Sequence, residues 1–80
     1  MIKPYIVDIR NLDYTQLSQL RDKMKQQSPS GLLINADRSQ VVVHYDGPDC
    51  SVHEFADVLG ISIARITPCA ELPLHGWQKF

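Results

Sequence analysis

Two helix-start signals constrain this chain more tightly than any other feature. Asp13 with Gln16, and Ser51 with Glu54, each match the capping box, in which the first side chain accepts a hydrogen bond from the fourth residue's backbone amide and the fourth side chain reaches back. Apolar residues flank each box where a hydrophobic staple needs them, Leu12 and Leu17 around the first, Cys50 and Phe55 around the second. Helices are therefore expected to begin at Tyr14 and Val52, and the rest of the chain must fit before, between and after them.

The first helix carries Leu17, Leu20 and Met24 on one stripe, with Gln16, Ser18, Gln19, Arg21, Asp22, Lys23, Lys25 and Gln26 on the wet side. The basic cluster Arg21, Lys23 and Lys25 reads as part of that solvated face. Ser28-Pro29-Ser30-Gly31 stops the helix, because proline disfavours helical geometry in the residue before it. The second helix is short, with Val52, Phe55, Ala56 and Leu59 as its apolar stripe and Gly60 placed to adopt the left-handed conformation that ends many helices.

Four strands are expected around these helices. Lys3 to Arg10 alternates Tyr5, Val7 and Ile9 against Ile6, Asp8 and Arg10, the period of two of a half-buried strand. Leu32-Leu33-Ile34 and Gln40–Tyr45 are short apolar and β-branched runs, joined by the turn-forming Asn35-Ala36-Asp37-Arg38-Ser39 into an antiparallel hairpin. Ile61–Thr67 reads as the fourth strand, ended by Pro68. The order strand-helix-strand-strand-helix-strand predicts an α+β domain of the ferredoxin-like, split βαβ type (βαββαβ): a four-stranded antiparallel sheet with two helices on one face.

An 80-residue chain buries too little surface for two cores, so residues 1–70 are read as one domain. Residues 71–80 carry Leu72, Leu74, Trp77 and Phe80 without a regular period, and are read as an apolar tail that packs on the domain or on a partner subunit. The formal net charge of −1 gives no positive field to draw in nucleic acid, and no apolar run reaches the length of a membrane span. With no signal-peptide pattern, the expected location is cytoplasmic, and Cys50 and Cys69 are expected to be reduced thiols.

On the sheet face away from the helices, Asp8, Arg10 and His44 should lie together, joined by Arg65 if Ala64 and Ile66 form the core side of the fourth strand. Two guanidiniums beside an acid and an imidazole form a candidate site for an anionic small molecule. The plainer reading is a solvated, salt-bridged sheet face. His44, Cys50 and His53 have metal-like spacing but supply three ligands where zinc needs four, so no metal is assigned. No third group orients a histidine against Cys50, and no glycine-rich oxyanion loop follows it, so no catalytic residue is assigned. Tyr5 and Tyr45 occupy the central strands where RNA-recognition domains stack bases, yet their alternation puts them on the helix-covered side. After the first strand, Ile9-Arg10-Asn11-Leu12 carries neither the Cys-x-x-Cys of a metal carrier nor a glycine-rich phosphate cradle, and no nucleotide-binding or hydrolase motif occurs.

These absences and the apolar surplus of Ile6, Val42, Leu72, Leu74, Trp77 and Phe80 point to a non-enzymatic binding or regulatory module, without a cofactor, that works through protein contacts and self-association. The alternative is a small ligand-binding domain or enzyme using Asp8, Arg10, His44 and Arg65. If the second capping box forms, Ser51→Ala should lower the unfolding free energy by about 1 kcal/mol in urea denaturation. An unchanged midpoint would show that Ser51 does not cap the helix.

Overall fold

The computed structural model describes residues 2–28, 31–46, 52–68 and 76–80. Within them lie β1 (Ile2–Asp8), α1 (Tyr14–Gln27), β2 (Leu32–Ile34), β3 (Gln40–Asp46), α2 (Val52–Leu59), a 3-10 turn (Ile63–Arg65), β4 (Ile66–Pro68) and β5 (Gln78–Lys79). The strands form one antiparallel sheet in the order β4-β1-β3-β2-β5. The protein is thus α+β, with two helices and, among the described residues, five strands where four were expected.

β1 and β3 are the longest strands and pair in register from Ile2 opposite Asp46 to Asp8 opposite Gln40. Because side chains alternate along a strand, Tyr5, Val7 and Ile9 share a face with Val41, Val43 and Tyr45, and Leu32 and Ile34 of β2 join them. Onto this face α1 buries Leu20 and Met24, and α2 buries Phe55, Ala56 and Leu59, giving one continuous core. Phe55 is its centre: its ring stacks on Tyr5 at 4.7 Å between centroids and meets Tyr45 at 5.1 Å.

The helix ends follow their local chemistry. At the start of α1, the Gln16 amide donates to Asp13 Oδ1 at 2.7 Å and the Asp13 amide donates to Gln16 Oε1 at 3.2 Å, which completes the first capping box. Beyond its other end, the buried Ser28 ties the helix to the sheet. The Ser28 hydroxyl donates to the Gly31 carbonyl at 2.7 Å and accepts the His44 backbone amide at 3.1 Å. Of the second capping box, Ser51 and its staple partner Cys50 lie outside the described residues, while α2 does run from Val52. It ends in a Schellman motif: the Ile61 amide donates to the Ala56 carbonyl, the Gly60 amide donates to the Asp57 carbonyl, and Gly60 sits at φ +70.

Two departures from the sequence pattern have physical causes. The alternation of Ile61–Thr67 predicts a strand throughout, but the Ser62 hydroxyl accepts the Ala64 amide and the Ser62 carbonyl accepts the Arg65 amide, curling Ile63–Arg65 into a 3-10 turn. Only Ile66–Pro68 is left to pair with β1, with Ile66 on the core side and Ala64 exposed. The second departure is the fifth strand. Gln78 and Lys79 pair with Ile34 and Leu33, and the Phe80 amide donates to the Leu32 carbonyl at 2.9 Å, so the segment read as lacking any element completes one edge of the sheet. Two residues cannot show a period, and the hydrogen-bonding demand of β2's open side is what recruits them.

A Cβ at Gly60 would lie 3.0 Å from the Lys23 ammonium, which can swing aside, but the left-handed backbone cannot be relieved so easily. Gly60→Ala should therefore cost roughly 1–2 kcal/mol in urea denaturation. A neutral effect would mean that the helix end rebuilds around the substitution.

Candidate functional site

Asp8 closes β1, and the chain turns at Arg10 and Asn11, the latter at φ 64. The turn folds the Arg10 guanidinium back on the Asp8 carboxylate as a fork, with Nε 3.1 Å from Oδ1 and Nη2 2.9 Å from Oδ2. The Arg10 backbone amide adds a third bond to Oδ1 at 2.9 Å. Arg65 arrives from the 3-10 turn, and its Nη1 donates to the backbone carbonyls of Asp8 at 3.1 Å and Arg10 at 2.8 Å. Three of the four residues expected to form a site are thus together. The fourth is elsewhere: His44 lies opposite Pro4, four residues along β3 from the position facing Asp8, or roughly 13 Å at strand rise.

This geometry sets what the cluster can do. The Arg10 charge is matched by Asp8, and Arg65 holds a turn closed by way of two carbonyls, so the group acts as a clasp between β1 and the approach to β4. The Asp8 carboxyl is held below its ordinary range, chiefly by the Arg10 side-chain hydrogen bond and then by the Arg10 amide, with burial opposing and the charges of Arg10 and Arg65 adding.

The sheet face away from the helices carries Ile6, Val42 and Leu33 side by side on three strands. Val42 is 0% exposed and Ile6 is half-buried, so Val42 keeps no surface of its own to offer a partner. Trp77 and Phe80 are half-buried, while Leu72 and Leu74 lie outside the described residues. Tyr5 and Tyr45 are buried against Phe55 and present no open ring face on which a base could stack.

A different group of residues forms a cavity that the sequence does not announce. Tyr14, Leu17, Ser18 and Arg21 of α1, Arg38 of the β2–β3 loop, and Phe80 beyond β5 surround about 260 Å³. The Arg21 and Arg38 guanidinium carbons each lie 5.9 Å from the Phe80 ring centroid. Arg21 belongs to the face read as solvated, yet it is half-buried and its Nε is shut away from water without an acceptor. Arg38 stands at φ 60, in a loop where its amide donates to the Asn35 carbonyl and the Asn35 side chain accepts the Ser39 and Gln40 amides. No short-range signal could bring these residues together, because they come from three separate stretches of chain.

Among the described residues no three of His, Cys, Asp and Glu are grouped to hold a metal, and no helix is long and apolar enough to cross a membrane. Cys50 and Cys69 lie outside the described residues. No protein-family model matches this sequence, and no match emerged among curated proteins or solved structures.

Because the Asp8 pKa is depressed in the folded protein, its contribution to stability is present above the unfolded carboxylate's pKa and is lost as pH falls through the folded value. Arg10→Met should raise the Asp8 pKa in a carboxyl NMR titration and remove that part of the acid dependence. An unshifted Asp8 would mean the fork does not persist in solution.

Proposed function

We propose that this chain is a non-enzymatic binding module that acts through contacts with protein, its own copies included, in the cytoplasm. The observation that carries this reading is the contrast between its polar and apolar groups. Of the charged residues read as a candidate site, Asp8, Arg10 and Arg65 are bonded to one another or to backbone, whereas large apolar side chains stand in solvent: Val58 is 45% exposed and Ile63 37%. These two sit on α2 and on the 3-10 turn, elements that pack together, with half-buried Ile61 between them in sequence. A surface of this kind gains from being covered.

The fold supports a module of this type. The sheet order β4-β1-β3-β2, with both helices buried in one core on one face, is what a ferredoxin-like split βαβ arrangement would have, and β5 would then be an appended edge strand. The alternative in which Asp8, Arg10, His44 and Arg65 bind an anion gains no favour from a geometry that satisfies Arg65 with carbonyls and sets His44 apart.

The test is sedimentation across a range of concentrations, together with affinity capture from the native cell. The wild type should associate or retain a protein partner, and Val58→Lys with Ile63→Lys should abolish this while leaving the circular dichroism spectrum unchanged. A wild type that stays monomeric and retains nothing, or a doubly substituted chain that behaves like it, would overturn the proposal.

A further inference from the structure

We infer that the cavity between α1, the β2–β3 loop and Phe80 is a binding site for a small organic anion, a carboxylate or phosphate group carried on a flat apolar body. This goes beyond the protein-contact reading and does not depend on it. The two arginines of this cavity differ from the two at the Asp8 clasp. Arg10 has a carboxylate and Arg65 has two carbonyls, while neither Arg21 nor Arg38 pairs with a carboxylate among the described residues. Both arginines line the one cavity, each with its guanidinium carbon 5.9 Å from the Phe80 ring, so a ligand held there lies beside both.

Arg21 adds a more pointed observation. Its Nε is buried without an acceptor, and an N–H held that way disfavours the empty state. Once a shift of the Arg21 side chain opens that N–H to the cavity, a planar oxyanion bound side-on accepts from Nε and one Nη together, which is the fork geometry of Arg10 on Asp8 in this same protein. Arg38 occupies a left-handed conformation that glycine or asparagine adopts more cheaply, and the Asn35 hydrogen bonds hold the loop that places it there. Phe80 and Leu17 supply an apolar wall, and Ser18 and Tyr14 bring hydroxyl groups. The 260 Å³ volume suits a small molecule, not a segment of protein.

Benzoate, phenyl phosphate and inorganic phosphate, each titrated into the full chain and followed by amide chemical shifts and calorimetry, test the site. Benzoate or phenyl phosphate should bind with a Kd below about 1 mM, shifting residues of α1 and the β2–β3 loop, and the tighter of the two identifies the head group. Inorganic phosphate, which lacks the apolar body, should bind at least about tenfold more weakly. Arg38→Met, on an exposed loop, and Arg21→Met should each weaken the aromatic anion about tenfold or more, with thermal unfolding confirming that both variants fold. The inference is overturned if neither aromatic anion binds below about 1 mM, if the folded variants bind as the wild type does, or if inorganic phosphate matches phenyl phosphate.

Discussion

Phe55 is the contact on which the rest of this structure depends. α2 has eight residues, far too few to persist as an isolated helix, so its existence rests on tertiary burial. The largest side chain it buries, beside Ala56 and Leu59, is the Phe55 ring, wedged against Tyr5 of β1 and Tyr45 of β3. The two tyrosines sit on the paired central strands, so the same ring that holds the helix down also bridges the ladder around which the sheet is built. Aromatic contacts of this kind contribute about 0.5–1.5 kcal/mol beyond simple burial, which matters in a chain whose core holds few large residues.

Ser28 performs a related task at the far side of the core with a hydroxyl group. A buried polar side chain is costly unless it is bonded, and this one both donates and accepts. By accepting the His44 amide it fixes the end of α1 relative to β3, and by donating to Gly31 it fixes the path into β2. Local chain reversal and long-range registration are thereby set by the same atom.

How much of this the sequence reveals depends on how far apart the interacting residues lie. α1 and α2 were legible because caps and stripes are encoded within a few residues: Asp13 with Gln16, Gly60 after Leu59. The β1–β3 face assignment was legible because alternation in Tyr5-Val7-Ile9 and Val41-Val43-Tyr45 specifies which side chains go inward. Ile63–Arg65 misled because Ser62 bonds its own neighbours, a local competition that the apolar pattern does not show. β5 and the Phe80 cavity were invisible for the opposite reason: Gln78, Lys79 and Phe80 acquire their roles only against Leu32–Ile34, Arg21 and Arg38. The same limit applies to the charged cluster, where the residue types of Asp8, Arg10, His44 and Arg65 suggest a site but only the β1–β3 register places His44 opposite Pro4, four residues along β3 from the partner of Asp8.

The two outermost of the described strands bear on what the edges of the sheet can pair with. β4 and β5 are the outermost strands of the sheet, three and two residues long, and they are where unpaired backbone amides and carbonyls would face outward. β4 includes Pro68, which has no amide hydrogen, and β5 includes Lys79, whose charge resists being buried beneath another sheet. Such margins offer a foreign strand almost no ladder to extend. The long, apolar β1 and β3, which would be hazardous at a boundary, are enclosed between neighbours on both sides. Among the described residues, strand addition at these edges is thereby disfavoured.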